Sequence, residues 1–182
     1  MKSYLKIPCL FMIAVCLLSC ASKPPKPPDQ WPYEKDAVHF RVNADAQLNY
    51  QDGMPHTLLL CVYQLREPNV FNQLTGNEEG LYKLMECGLF DASVVGAKRL
   101  IIHPGTVSTY ILDRAENAKY IAVVGGYYVL HKENIVRLFE VPVIRVREGL
   151  KLTKVSKPGA LKMEITLGPK QIVEAKEISQ NE

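Results

Sequence analysis

The residue of this chain best placed for covalent chemistry is Cys20, which ends the tetrapeptide Leu17-Leu18-Ser19-Cys20. The chain starts with two positive charges, Lys2 and Lys6, followed by an almost wholly apolar run from Ile7 to Leu18. That run is too short for a transmembrane helix, which needs roughly 20 residues. Its length and charged flank are typical of a secretory signal peptide. A small residue, Ser19, stands directly before the cysteine at the end of this run.

This pattern resembles the lipobox of bacterial lipoproteins, whose cysteine is diacylated before cleavage and whose new amino group is then acylated. Residues 1–19 are therefore interpreted as a lipoprotein signal peptide, and Cys20 as the first residue of the mature chain. Two or more acyl chains anchor a protein stably, at about 0.8 kcal/mol per buried CH₂. Ala21, rather than an aspartate, follows the cysteine, and by resemblance to enterobacterial sorting this favours the outer membrane. The alternatives are an ordinary signal peptide with a chance cysteine and a buried apolar strand.

Two further cysteines, Cys61 and Cys87, stay in the mature chain, since Cys9 and Cys16 leave with the signal. In an oxidising compartment they could form a disulfide that closes a loop of about 26 residues and contributes on the order of 3 kcal/mol. Cys61 lies in a strongly apolar segment, so a buried free thiol is an equal alternative. No C-x-x-C spacing occurs, and neither a redox motif nor a thiolate zinc site is indicated.

Catalytic motifs are sparse. Neither H-x-H nor H-E-x-x-H spacing occurs, and there is no G-x-S-x-G elbow and no glycine-rich phosphate loop. The four histidines are widely separated: His39, His56, His103 and His131. Glu78 and Glu79 are explained by a helix start, where carboxylates favour the macrodipole. We therefore predict no catalytic residues, no metal, no small-molecule substrate and no cofactor besides the acyl chains. An envelope hydrolase built from distant residues is a third hypothesis.

The mature chain is nearly neutral. Removing residues 1–19 leaves 163 residues (182 − 19), enough for one domain with its own core. Basic residues fall from 22 to 20 against 19 acidic ones, which changes the formal charge from +3 to +1. This argues against nucleic acid as the main partner. A locally basic stretch is interpreted as the solvated face of a hairpin: Arg145, Arg147, Lys151, Lys154 and Lys157.

Residues 20–33 are predicted to be a tether between the lipid and the domain. Ala21 to Pro32 reads ASKPPKPPDQWP, with five prolines in twelve residues. Such a composition favours extended polyproline II at about 3.1 Å per residue, which gives a semi-rigid stalk of roughly 30 Å. We prefer this spacer role to that of a proline-rich ligand for another module.

The rest of the chain is predicted to be rich in strands. Alternation from Val38 to Val42 indicates a half-buried strand, and the doubly apolar run Thr57 to Leu65 indicates a central one. Further strands are predicted at 99–102, 107–112, 120–128, 135–143 and 161–167, with turns at 132–134 and 156–159. Seven or eight short strands favour a two-sheet antiparallel β-sandwich over residues 34–170. Residues 171–182 are predicted to be a polar C-terminal tail that frays.

A short helical insertion is predicted after the second strand. Phe71 to Leu74 could form a helical turn, and Asn77 is placed to cap a helix from Glu78 to Cys87. The apolar face of this helix is interpreted as core packing.

The connection from Ala44 to His56 is longer than a tight hairpin. It carries turn formers, including Asp52-Gly53, together with the apolar residues Leu48, Tyr50 and Met54. A long loop with apolar side chains is a candidate contact surface. We expect Leu48 to fold back on the core, and Tyr50 and Met54 to be exposed.

Several segments, in this order, are similar to one known family. They are the lipobox, the proline-rich spacer, Leu48–Pro55, Leu60–Leu65, a helical insertion that starts at a phenylalanine, Leu100–Thr106 and Ala118–Tyr128. Together they resemble the outer-membrane lipoprotein of the type VI secretion system, the SciN/TssJ family. The chain departs from the family pattern at Cys61, where an arginine is common, and at Gly126-Tyr127-Tyr128.

The resemblance implies a transthyretin-like sandwich, attachment to the inner leaflet of the outer membrane, and a tethering role. It also implies that the loop between the first two strands binds the periplasmic C-terminal domain of the large IcmF-like inner-membrane protein (TssM). The loop residues are Gln47, Leu48, Asn49, Tyr50, Gln51, Asp52, Gly53, Met54 and Pro55. The alternative function is a small-ligand or glycan-binding periplasmic lipoprotein, which would need a concave pocket.

Overall fold

The computed structural model describes residue 28, residues 30–148 and residues 153–178, with the backbone alone for Glu148 and Thr153. The predicted signal peptide, Cys20, most of the tether and the last four residues lie outside this part. No helix within the described residues is long and apolar enough to cross a membrane.

The described residues form ten strands in two four-stranded sheets and one separate hairpin. The strands are β1 (Glu34–Ala44), β2 (Leu58–Leu65), β3 (Val94–Ile102), β4 (Val107–Arg114), β5 (Tyr120–Gly125), β6 (Val136–Glu140), β7 (Val143–Glu148), β8 (Thr153–Pro158), β9 (Leu161–Leu167) and β10 (Ile172–Glu177). Three short helices accompany them: α1 (Asn69–Leu74), α2 (Glu78–Leu84) and α3 (Lys132–Ile135). The chain is thus mainly β, with a helical insertion after the second strand, as predicted.

The first sheet has the order β10-β9-β1-β4. Alternate residues of β1 are buried, and Phe40 lies between Tyr110 of β4 and Met163 of β9 in the register. The rings of Phe40 and Tyr110 stack with their centroids 5.2 Å apart. Strand β9 runs parallel to β1, whereas the other strand pairs are antiparallel. The sequence predicted antiparallel pairing alone, because the return of a distant strand leaves no local signal.

The second sheet has the order β3-β2-β5-β6, and its central strand β2 is apolar on both faces because each face is covered. Gln64 shares a face with Val62 and donates from Nε2 to the backbone oxygen of Asp113 in β4 at 2.8 Å. That face therefore points toward the first sheet. The opposite face carries Cys61 and Tyr63, both fully buried, and it is covered by the helical insertion.

The helical insertion is held by a cap and by a close contact between its two helices. Asn77 caps α2, as predicted, since its Oδ1 accepts from the backbone N–H of Gly80 at 2.8 Å. A Cβ at Gly80 would lie 2.0 Å from the backbone oxygen of Leu74, so this position requires glycine. Helix α2 ends at Leu84, three residues before the predicted end at Cys87.

Other boundaries also differ from the prediction. Within the predicted C-terminal tail, Ile172–Glu177 form β10, and Ile172 is buried. The strand predicted over 135–143 is divided by Val141-Pro142 into β6 and β7, because proline supplies no N–H to a ladder. The turn predicted at 132–134 belongs to α3, and the one predicted at 156–159 lies largely in β8.

Candidate partner-binding surface

The tether end and the Gln47–Pro55 loop lie at opposite ends of the sandwich. Strand β1 starts at Glu34, directly after the predicted tether, and ends at Ala44, directly before the loop. Glu34 pairs with Arg114 and Asn43 with Val107 of β4, and seven steps of about 3.3 Å along β4 put the two ends of β1 about 25 Å apart. The fold therefore has a tether pole and a loop pole.

At the tether pole, the last residues of the predicted stalk are bonded to the domain. The backbone oxygen of Trp31 accepts from the N–H of Asn117 at 2.8 Å. Arg114, which is 1% exposed, donates to the backbone oxygens of Pro32 at 3.1 Å and Gly159 at 3.2 Å. Burial lowers the pKa of this guanidinium below its ordinary value. The chain therefore leaves the domain at a defined point.

The tip of the loop is a closed two-residue turn. Gln51 and Met54 exchange backbone hydrogen bonds, with N–O distances of 3.0 and 3.1 Å. Asp52 and Gly53 between them have φ values of +51° and +83°, in the left-handed region. Asp-Gly is a preferred pair for a turn with two positive φ values, so the local sequence explains this geometry.

The base of the loop is anchored in the domain by Leu48 and Asn49. Leu48 is fully buried, which confirms that it folds back on the core. Asn49, which is 6% exposed, donates from Nδ2 to the backbone oxygen of Thr57 at 3.1 Å, and its Oδ1 accepts from the N–H of Tyr128 at 3.3 Å. The loop is therefore built into the fold rather than hanging from it.

The exposed part of the loop is its tip. Met54 has 55% of its surface exposed, as predicted, and Asp52, Gly53 and Pro55 are exposed beside it. Tyr50 is only partly exposed and lines a small cavity, and its backbone N–H donates to the backbone oxygen of Pro169 at 2.8 Å. The predicted exposure of the loop is therefore met fully by Met54 and only in part by Tyr50.

Tyr128 and Val129 lie beside the loop and were not predicted from the sequence to be part of the site. Each has 57% of its surface exposed, while the preceding Tyr127 is buried and donates from its hydroxyl to the backbone oxygen of Gln171 at 2.8 Å. The ring of Tyr128 meets His56 edge-on, with centroids 5.6 Å apart. The available signal was an apolar run past Gly125-Gly126, which had been interpreted as a continuing strand.

The structure joins Cys61 and Cys87 in a disulfide, with Cα atoms 5.1 Å apart. The sequence left open a disulfide or a buried free thiol at Cys61, and the structure has the disulfide. The bond ties the end of the helical insertion to the outer face of β2. It is therefore a structural crosslink.

The remaining candidate residues do not converge. Among the described residues, no group of three or more His, Cys, Asp or Glu side chains could hold a metal ion. His39 and His56 each contact a nearby backbone oxygen, of Asp36 and Gln51 respectively. The described part of the basic stretch lies on the β7–β8 hairpin: Arg145, Arg147, Lys154 and Lys157.

Comparison with known proteins identifies one family and several solved structures with a similar fold. Residues 36–170 match the family described as Type VI secretion lipoprotein, VasD, EvfM, TssJ, VC_A0113. No curated protein sequence matches the chain.

Three solved structures are similar to it, at identities that show the fold alone. The crystal structure of the T6SS lipoprotein TssJ1 from Pseudomonas aeruginosa is 19% identical with a TM-score of 0.57, covering 84% of this chain and 98% of that one. Serratia marcescens Lip, a membrane-bound component of the type VI secretion system, is 18% identical with a TM-score of 0.54, covering 79% and 97%. A structure of the T6SS protein TssM C-terminal domain (869-1107) from EAEC is 14% identical with a TM-score of 0.51, covering 78% of this chain and 97% of that one.

Proposed function

Because this chain belongs to the type VI secretion lipoprotein family, we propose that it is a tether of the trans-envelope secretion complex. Acyl chains on Cys20 hold it on the periplasmic face of the outer membrane. The loop from Gln47 to Pro55 binds the periplasmic C-terminal domain of the IcmF-like inner-membrane protein (TssM). The function is mechanical attachment and involves no catalytic step.

The observation that carries this proposal is the opposite placement of the two poles. The tether enters at the start of β1, and the loop follows its end, about 25 Å away. In polyproline II, the ten steps from Cys20 to Gln30 would span about 31 Å. The loop is therefore presented to the periplasm away from the lipid. Joining two attachments through one rigid body raises the effective concentration for the second contact.

The loop is suited to binding because its shape exists before a partner arrives. The turn at Asp52-Gly53 is closed by backbone hydrogen bonds, and Asn49 fixes the base. Such preorganisation reduces the conformational entropy lost on association. Met54 at the tip supplies an exposed, adaptable apolar side chain of the kind found at binding surfaces.

The test is a binding measurement with charged substitutions in the loop. We expect the pair Tyr50→Asp and Met54→Asp to weaken binding to the purified periplasmic C-terminal domain of the IcmF-like protein by at least 100-fold. Burying an unpaired carboxylate in the contact costs several kcal/mol. Biolayer interferometry with the mature lipoprotein in detergent micelles gives the affinity, and circular dichroism checks the fold.

The matched control is Val173→Asp, since Val173 on β10 is also an exposed apolar residue, 57% accessible. It should bind as the unchanged protein does. Undiminished binding by the loop variant would contradict the proposed role of the loop.

The anchor has its own test, because Cys20→Ser removes the acylation site and leaves the sandwich intact. This variant should leave the membrane fraction while its affinity for the partner domain stays the same. Full retention in outer-membrane fractions would refute acylation of Cys20 as the attachment.

A further inference from the structure

We infer that the partner is held at a second place, the ridge formed by Tyr128 and Val129 and the cleft between this ridge and helix α2. The inference rests on the proposed function, because it adds a second contact surface for the same partner domain. The segment that fits is apolar at its centre and flanked by lysine or arginine.

The ridge is an exposed apolar pair between two depressions. A cavity of about 210 Å³ lies on the loop side, and a cleft of about 690 Å³ lies on the side of α2; Tyr128 and Val129 line both. Across the cleft stands Tyr82, with 59% of its surface exposed. Single exposed apolar residues are normal on protein surfaces, whereas contiguous ones mark interaction sites.

The ridge and the loop form one rigid unit. The backbone N–H of Tyr128 is bonded to Oδ1 of Asn49, and the Tyr128 ring rests against His56. Asn49 and His56 both belong to the connection that carries the loop. A partner domain seated on the loop tip therefore meets the ridge at a set distance, without an entropic cost for aligning two independent elements. Because the ridge and the loop are joined in this way, we expect the ridge to contact the same partner domain that the loop binds.

The charges around the cleft specify the flanks of the bound segment. Two carboxylates, Glu78 and Glu133, line the cleft together with one ammonium group, Lys132. Asp52 adds an exposed carboxylate at the loop tip, and Lys170 lines the cavity on the loop side of the ridge. Around the ridge, three carboxylates therefore outnumber two ammonium groups, although the mature chain as a whole carries +1. Basic groups beside the apolar centre of the segment would complement this excess of carboxylates and speed association.

The decisive experiment compares two matched substitutions in the mature lipoprotein in detergent micelles. Val129→Asp puts a carboxylate on the ridge, and Ile111→Asp puts one on β4 at a residue of similar exposure, 52% against 57%. The probe is the purified periplasmic C-terminal domain of the IcmF-like protein. We expect Val129→Asp to weaken binding at least tenfold and Ile111→Asp to change it less than twofold.

Salt tests the charge complementarity. Affinity should fall as ionic strength rises from 0.05 to 0.5 M, because exposed charges are screened beyond a Debye length. Glu133→Lys should weaken binding several-fold at low salt and reduce the salt dependence. If Glu133→Lys binds more tightly, the segment is not basic and the assignment is overturned.

The outcomes separate this inference from the proposed function. If Met54→Asp abolishes binding while Val129→Asp binds normally, the loop acts alone and the ridge has no part. If the unchanged protein fails to bind the probe, the proposed function itself falls. Loss of binding in both variants, with Ile111→Asp normal, supports the two-element surface.

Discussion

Breaking the Cys61–Cys87 disulfide should lower the free energy of unfolding by about 3.5 kcal/mol. The two cysteines are 26 residues apart in sequence. The chain-entropy relation for a loop of that size gives about 12 cal/mol/K, or about 3.5 kcal/mol at 25 °C. The effect acts mainly through the unfolded chain, which regains the freedom that the crosslink removed.

The folded state should survive reduction, because other contacts keep the helical insertion in place. The hydroxyl of Tyr63 donates to the backbone oxygen of Leu84, and Arg99 donates from Nη2 to the backbone oxygen of Glu86 at 2.9 Å. Phe71 of α1 is fully buried, with its ring centroid 6.1 Å from that of Tyr63. Reduced protein should therefore keep its native circular dichroism and its affinity for the partner domain.

Urea unfolding of the soluble chain from residue 21 onward, with and without reductant, measures the loss. With a slope of about 2 kcal/mol/M, the midpoint should fall by roughly 1.8 M. The double variant Cys61→Ala/Cys87→Ala should lose slightly more, because a buried sulfur is also removed, and reductant should not affect it. A loss below 1 kcal/mol in the unchanged protein on reduction would refute the reasoning.

Three other changes test the fold. Gly80→Ala should destabilise the domain by about 2 kcal/mol or more, because the new Cβ meets the backbone oxygen of Leu74, whereas Gly88→Ala, with open space around it, should be near neutral in the same urea assay. Asn49→Gly keeps the positive φ of +48° but loses both side-chain bonds, so it should cost about 2 kcal/mol; an unchanged midpoint would show that the loop base needs neither. Burial is the main cause that raises the pKa of Tyr63 to about 12, whereas the pKa in the unfolded chain is near 10. The folded state therefore keeps the hydroxyl proton to a higher pH than the unfolded state does. Stability is then complete below pH 10 and falls by up to about 1.4 kcal/mol per unit between pH 10 and 12; alkaline unfolding curves should show a shallower fall for Tyr63→Phe.

Features that depend on neighbouring residues could be predicted along the chain. The alternation from Leu161 to Leu167 matches β9 residue for residue, since side chains of a strand point to opposite faces in turn. Asn77 was identified as a helix cap, and Asp52-Gly53 as a turn, because the side-chain oxygen and the glycine act on their own local backbone. The candidate loop could be predicted in the same way, because its turn-forming residues and its apolar residues are neighbours in the sequence.

Features that depend on residues far apart were decided by the tertiary structure. The parallel pairing of β1 with β9, and the capture of Ile172–Glu177 as an edge strand, arise only once the sheet exists. The pairing of Cys61 with Cys87 required the insertion to fold back over β2. The tertiary structure also decided the burial of Tyr127 and the exposure of Tyr128, which are identical residues next to each other in the sequence. Their difference comes from Gln171 and His56, which only the folded chain brings to them. Contacts of this kind are set by which surfaces meet, and local residue patterns do not encode that meeting.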